Sequence, residues 1–266
     1  MTEAGDAGEK LCVITGTSSG IGLSLAGQLL AGGWRVIGIA RRNAPLEHKA
    51  YTHLHLDLSD LKAVRRTVET EILPECVKDN VGRVGLVNNA ALLDPVVPMT
   101  RLPLEDLQRA TTVNLVVPQW LMGLFSRACA GKSLRMVNIS SGAARNPRGG
   151  WGAYCATKAG LLMAGRVWGA EGEVASPAGD ASGTDQGAAP GTPRLDAALF
   201  SFEPGVVDTA MQTQIRGFSP DEFPSVERFV AFHAEGKLKS PDVPAGEIAA
   251  FLNNDETRGY SETRLG

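Results

Sequence analysis

The chain has 266 residues and carries 26 Lys and Arg against 29 Asp and Glu, a net charge of −3. With 43% hydrophobic and 21% charged residues, its composition is that of a globular protein and excludes a mainly disordered chain. It lacks the basic block of a nucleic-acid binder and has no apolar run long enough to span a bilayer, so neither nucleic acid nor a membrane is expected as a partner.

Residues 11–15 (LCVIT) form a short apolar run that ends in a glycine-rich turn, and they read as a buried strand. A helix follows over 20–31, with Ile21, Leu25 and Leu29 spaced four apart on one face; Gly32-Gly33 stops it. Strands are expected over 34–40, 53–56 and 84–88, with a charged helix over 60–76 between the last two. A long helix over 104–128 leads to a fifth strand over 134–140, and a helix over 152–169 leads to a sixth over 197–203. This alternation predicts an α/β fold: a doubly wound parallel sheet of about seven strands with helices on both faces.

Length alone leaves one or two domains open. Residues 172–194 hold a single large aliphatic residue, Val174, among Gly, Ala, Pro, Ser and Asp, and read as a mobile loop. A domain linker is the weaker reading, because too few regular elements follow for a second core. A single domain over 1–266 is expected, with a substrate-side region at about 205–245. The four cysteines, Cys12, Cys76, Cys129 and Cys155, form no CxxC pair, which argues against a disulfide framework or a zinc ribbon. The N-terminus, MTEAGDAGEK, lacks the basic end and apolar core of a signal peptide. A cytoplasmic protein with reduced thiols is the expectation.

The turn Thr15-Gly-Thr-Ser-Ser-Gly-Ile-Gly22 lies between the first strand and the first helix. There Gly16, Ser18, Ser19, Gly20, Ile21 and Gly22 can offer backbone N–H groups and the positive end of a helix dipole to a phosphate. Its G-x-x-x-G-x-G spacing matches neither the common G-x-G-x-x-G fingerprint nor a P-loop. An NAD-binding unit places an acid at the end of the second strand for the ribose 2′-hydroxyl. Here Ala40 takes that place, followed by Arg41 and Arg42. A guanidinium can pair with a 2′-phosphate, so NADP(H) is expected over NAD.

Tyr154 and Lys158 stand four residues apart on one helix face. A nearby positive charge lowers a phenol's pKa towards the range useful for proton transfer. Ser141 ends the fifth strand and Asn88-Asn89-Ala90 the fourth; Asn114 lies within the long helix, and Pro204-Gly205 closes the sixth strand. Active sites in open parallel sheets lie at such strand ends.

These residues together resemble the short-chain dehydrogenase/reductase family. The matching pieces are TGTSSGIG (15–22), Asp57 in HLDLSD, NNA (88–90), Asn114, NISS (138–141), YCATK (154–158) and PGVVDT (204–209). One departure is Ala91, where the family usually carries glycine. The resemblance implies that Tyr154 protonates a substrate carbonyl while a nicotinamide delivers hydride. It implies that Lys158 lowers the tyrosine pKa and holds the ribose, that Ser141 polarises the carbonyl, and that Asn114 holds a water in a proton relay. Asp57 would contact the adenine, Asn89 and Ala90 would line the cofactor cleft, and Pro204, Gly205, Val207 and Thr209 would flank the nicotinamide. Family members are mostly dimers or tetramers joined through the helices of Asn114 and Tyr154, so a homodimer or homotetramer is implied.

GWGAYCATKAG (150–160), PGVVDTAMQTQIR (204–216) and FHAEGKLKSPDVPA (232–245) are similar to the sepiapterin reductase and benzil reductase-like subgroup. Its members reduce vicinal dicarbonyls and similar ketones with NADPH, which implies a small-molecule carbonyl substrate. Sepiapterin reductases anchor the pterin with an acid near the C-terminus; Glu262 is the nearest acid here and does not stand at a matching place. A pterin, an aromatic diketone and a general carbonyl all stay open, as do an NAD(P)-dependent alcohol dehydrogenase and a non-catalytic cofactor sensor. His53 and His55 share one strand face without further ligands nearby, so no metal is expected. Trp151, Met211 and Phe218 read equally as pocket or core, and Cys155 and His233 are given no role.

Overall fold

The computed structural model describes residues 8–175 and 196–265. Its strands are β1 (Glu9–Thr15), β2 (Arg35–Ala40), β3 (Tyr51–His55), β4 (Val81–Asn88), β5 (Ser133–Ile139), β6 (Ala197–Glu203) and β7 (Gly259–Arg264). All pair in parallel, in the order β3-β2-β1-β4-β5-β6-β7. β1, β4, β5 and β6 are buried through most of their length, as aliphatic strands covered on both faces must be. On one face Leu86, Leu134 and Met136 pack against Val68, Val117 and Phe125. On the other, Ile14, Val87 and Val137 pack against Leu25, Leu29 and Ile248. The chain therefore folds as one doubly wound domain.

From β1 the chain moves outward through β2 to β3, then crosses back to place β4 on the other side of β1. The strand order reverses there, and a crevice opens above the carboxyl ends of β1 and β4.

Two expected helices are continuous but irregular. The helix expected over 60–76 runs as Leu61–Thr67, a π-helical turn Val68–Ile72, then Leu73–Cys76; the one over 104–128 runs as Leu104–Thr111, a π turn Thr112–Val116, then Val117–Ala128. In each, a proline (Pro74 or Pro118) sits at the start of the last segment. Proline has no N–H to give the carbonyl four residues back, so the carbonyls of Thr70 and Asn114 lose their α-helical partners and the turn widens.

The helix expected over 152–169 extends from Gly152 to Ala175. Residues 172–175, expected as loop, are thus helical, since glutamate and alanine around Gly172 favour helix. The rest of that expected loop, 176–194, lies outside the described residues. After β6 come helices Ala210–Arg216, Val226–Ala234 and Asp242–Asn253, then β7 at the sheet edge. Among the described residues no helix is long and apolar enough to cross a membrane.

Candidate active site

The crevice above β1 and β4 is a cleft of about 570 Å³, a size that suits a small molecule or cofactor. One end is bounded by the glycine turn, with Gly16, Ser18, Ser19, Gly20 and Ile21, and by Arg41, Arg42 and Asp57 at the ends of β2 and β3. Asn89 and Ala90 follow β4 along its floor, and Pro204, Gly205, Val207 and Thr209 form the opposite wall. Ser141, Tyr154 and Lys158 meet deeper in the cleft. Residues spread over nearly two hundred positions are brought together because each sits at the carboxyl end of a strand or on the helix that follows.

Gly22 and Asn114 do not line the cleft, and each has a different task. A Cβ on Gly22 would overlap the carbonyl oxygen of Gly16 and the Asn89 amide, so Gly22 lets the helix close against the turn from behind. Gly16 takes φ +80, a left-handed conformation that suits glycine. Asn89 locks this turn: its Nδ2 donates to the carbonyls of Thr15 (2.9 Å) and Gly16 (3.1 Å). Thr15 Oγ1 accepts from the backbone N–H of Asn89 and Ala90, both at 3.0 Å. The sequence reading missed Thr15 as this hub.

Asn114 is buried in the π turn. Its Oδ1 accepts from Leu92 N (2.7 Å), and its Nδ2 donates to Leu92 O (2.8 Å) and Thr157 Oγ1 (3.2 Å). The side chain is therefore occupied in pinning the segment after β4 to the tyrosine helix. Its main-chain carbonyl, freed of an α-helical donor by Pro118, is the group left at the kink.

Tyr154 lies on the first turns of the Gly152–Ala175 helix and is 7% exposed. Burial pushes its phenol up to about 12, against which a hydrogen bond from Ser141 pulls down. Burial thus sets the net direction at Tyr154, with Lys158 its neighbour one turn along the helix. The ammonium is 5.7 Å from the ring centroid and donates to the carbonyl of Ile139 at 2.7 Å. Burial moves Lys158 the other way, down to about 8. Low dielectric disfavours the charged form of each group, so the two values move apart, the phenol up and the ammonium down. Ser141 caps a one-turn 3-10 helix, Gly142–Ala144, its Oγ accepting from Ala143 N at 3.2 Å.

At the far end, Arg42 Nη2 reaches the hydroxyls of Ser18 (3.5 Å) and Ser19 (3.4 Å), and Arg41 stands 3.9 Å from Asp57. Burial raises the Asp57 carboxyl, but hydrogen bonds from Ser59 and the charges of Arg41 and Arg109 outweigh it and hold it below the ordinary carboxylate range. Arg109, on the long helix, also lines this end; nothing in its sequence setting pointed there.

The wall beyond Tyr154 was only partly foreseen. Met211 lines the cleft, as do Asp94 and Gln214, which are joined across it by a 2.7 Å hydrogen bond from Gln214 Nε2. Trp151 belongs to the core beside the cleft: it is buried, stacked on Phe223 at 4.7 Å and edge-on to Tyr154 at 5.5 Å. Phe218 and Cys155 pack against the same cluster. The His53 and His55 rings are 4.5 Å apart, and His53 Nδ1 shares a 2.9 Å hydrogen bond with Tyr51. Among the described residues no group of three His, Cys, Asp or Glu is placed to hold a metal.

Comparison with known proteins agrees with this geometry. A family model described as short chain dehydrogenase matches residues 10–174. The chain is 36% identical over 252 residues to a benzil reductase ((S)-benzoin forming) of Bacillus subtilis, covering 94% of this chain and 96% of that relative. It is 29% identical to the sepiapterin reductase of Bos taurus, over 96% and 93% of the two chains. Among solved structures, the KRED1-Pglu enzyme superposes with a TM-score of 0.73 at 26% identity, covering 95% of this chain and all of that one. The chain belongs to the short-chain dehydrogenase family of oxidoreductases.

Proposed function

We propose that the protein is an NADPH-dependent carbonyl reductase acting on ketones and vicinal dicarbonyls. The observation that carries this reading is the meeting of Ser141, Tyr154 and Lys158 in one cleft whose other end is bounded by a glycine turn and two arginines. The residues fit a dinucleotide: the turn exposes backbone amides at a helix start, and Asn89 and Gly22 hold it open to a phosphate. Ala40 puts no carboxylate against a 2′-phosphate, and Arg41 and Arg42 are there to pair with it. A bound nicotinamide would supply the hydride.

The protein's part is proton supply and orientation. Tyr154, raised to about 12, stays protonated at neutral pH and acts as the acid that gives its O–H proton to the carbonyl oxygen as that oxygen becomes an alkoxide, a far stronger base than a phenolate. Ser141 donates a hydrogen bond to the same oxygen and polarises it. Lys158, at about 8, is the stronger acid of the pair and refills the tyrosine. Asn114 keeps the tyrosine helix in place through Thr157.

Further observations bear on substrate and assembly. Glu262, the acid nearest the C-terminus, is bound to Arg145 and Arg166, each at 2.8 Å. This supports dicarbonyls over pterins, as does the benzil reductase of Bacillus subtilis among the relatives. The region at 205–245 supplies the substrate wall through Met211 and Gln214. Exposed Leu104 and Val116 on the helix of Asn114, and Met163 and Val167 on the tyrosine helix, support a homodimer or homotetramer joined there.

The test is consumption of NADPH and NADH with benzil, 1-phenyl-1,2-propanedione and sepiapterin. Turnover of the diketones with NADPH ahead of NADH is the expected result; no turnover of any of the three overturns the reading.

A further inference from the structure

The turn that presents Ser141 is short; Ala143 packs in the cluster of Trp151 and Tyr154, while the main-chain hydrogen bonds close the turn on itself. Ala144 N donates to Ser141 O (2.9 Å), and Asn146 N and Nδ2 donate to Gly142 O (2.9 and 3.0 Å). None of these bonds sets where the turn lies relative to the helix of Tyr154. Arg145, the residue that ends the turn, does reach beyond it. Its Nη1 bonds Glu203 Oε2 at 3.2 Å and its Nη2 bonds Glu262 Oε2 at 2.8 Å.

Both carboxylates are anchored elsewhere. Glu203 ends β6, immediately before Pro204-Gly205, and its side chain is 6% exposed. It lies directly against the turn: a Cβ on Gly142 would come within 2.9 Å of its Oε1. The same oxygen takes Arg264 Nε of β7 at 3.3 Å. Glu262 Oε1 takes Arg166 Nη2 at 2.8 Å, and Arg166 is on the helix that carries Tyr154 and Lys158. A buried carboxylate is retained only where cations and hydrogen bonds compensate it. Here three guanidiniums share two carboxylates, and the path runs from the serine turn to the tyrosine helix.

We propose that Arg145 is a positioning residue for the reaction: its two-pronged grip on Glu203 and Glu262 fixes the Ser141 hydroxyl relative to the Tyr154 phenol. The proposal rests on the reading of Ser141 and Tyr154 as the groups that act on the carbonyl oxygen. A reacting geometry displaced by about an ångström loses on the order of a hundredfold in rate, so a loosened turn shows in turnover before it shows in cofactor binding. Arg264 holds the same carboxylate but is not part of the turn, and serves as the matched control.

The experiment compares Arg145→Gln, Arg145→Lys and Arg264→Gln with the wild type. For each, kcat and KM with 1-phenyl-1,2-propanedione, the NADPH dissociation constant and the thermal midpoint are measured. Both glutamine variants are expected to lower the midpoint, since each strips a partner from Glu203. Arg145→Gln is expected to lose about tenfold or more in kcat with NADPH affinity within about twofold, whereas Arg264→Gln keeps kcat within about twofold. A lysine supplies the charge but cannot fork to two carboxylates, so Arg145→Lys recovers the midpoint more than it recovers kcat. Equal kcat loss in the Arg145→Gln and Arg264→Gln proteins, or full kcat in Arg145→Gln, overturns the proposal while leaving the reading of the site intact. A wild type that reduces no carbonyl overturns that reading, and the proposal with it.

Discussion

Replacing Lys158 with methionine keeps the length of the side chain and removes a cation that is 2% exposed. Burial pulls the lysine from 10.5 to about 8, and each tenfold of that fall disfavours the charged form by about 1.4 kcal/mol, or about 3 kcal/mol in all at neutral pH. The variant also loses the hydrogen bond from Nζ to Ile139 O, which offsets about 1 kcal/mol. Lys158→Met is therefore expected to be about 2 kcal/mol more stable than the wild type near neutral pH. In the native state the lysine holds its proton less tightly than in the unfolded chain, so between about 8 and 10.5 the unfolded state binds more protons and the wild type gains stability as pH rises. The difference between the two proteins should shrink by about 2 kcal/mol between about pH 7 and about pH 9.5. Urea unfolding of both proteins without cofactor, at those two pH values, measures this directly. A difference that does not change with pH, or a methionine variant that is the less stable at neutral pH, would refute the buried-cation reasoning.

Other expected outcomes follow from separate parts of the cleft. Arg41→Ala combined with Arg42→Ala should weaken NADPH binding by at least about tenfold while changing NADH binding little, since the loss is of a charge-assisted pair to the 2′-phosphate; isothermal titration with both cofactors checks it. Gly22→Ala should cost about 2 kcal/mol or more of stability, because its Cβ would overlap Gly16 O; thermal unfolding reads this, and an unchanged midpoint contradicts the packing role given to Gly22. Asp94→Ala breaks the hydrogen bond that Gln214 makes across the cleft, and steady-state kinetics should show diketone KM raised several-fold with kcat retained.

Much of this fold could be read in the sequence because the central strands are aliphatic runs with punctuated ends. The first helix, over 20–31, and β6, over 197–203, fall where the structure puts them, bounded by Gly32-Gly33 and Pro204-Gly205. β7 could not be placed that way. Its residues Tyr260-Ser-Glu-Thr-Arg264 show no buried position, because an edge strand here is held by main-chain bonds to β6 and by the ion pairs of Glu262 and Arg264. The π turns escaped for a different reason: apolar periodicity is too coarse to separate i+4 from i+5 bonding, and only Pro74 and Pro118 signal them.

In the candidate site, Tyr154, Lys158 and the glycine turn stood out because local spacing carries their chemistry. The direction of the Tyr154 shift did not, since charge at four-residue spacing can be read from sequence while complete burial cannot. Asn114 was recognisable as a residue of interest, yet its side chain is taken up by Leu92 and Thr157. The brace of Arg145, Glu203, Glu262 and Arg166 was invisible, because its members come from four elements far apart in the chain and meet only in the folded sheet.

The most direct measurement of the central claim is turnover by Tyr154→Phe. The phenylalanine keeps the packing against Trp151 and removes only the hydroxyl. NADPH consumption with 1-phenyl-1,2-propanedione should fall by about a hundredfold to ten-thousandfold, the usual contribution of a positioned acid, while NADPH affinity, followed by nicotinamide fluorescence, stays within about twofold. A Tyr154→Phe protein that reduces the diketone at the wild-type rate would contradict the account.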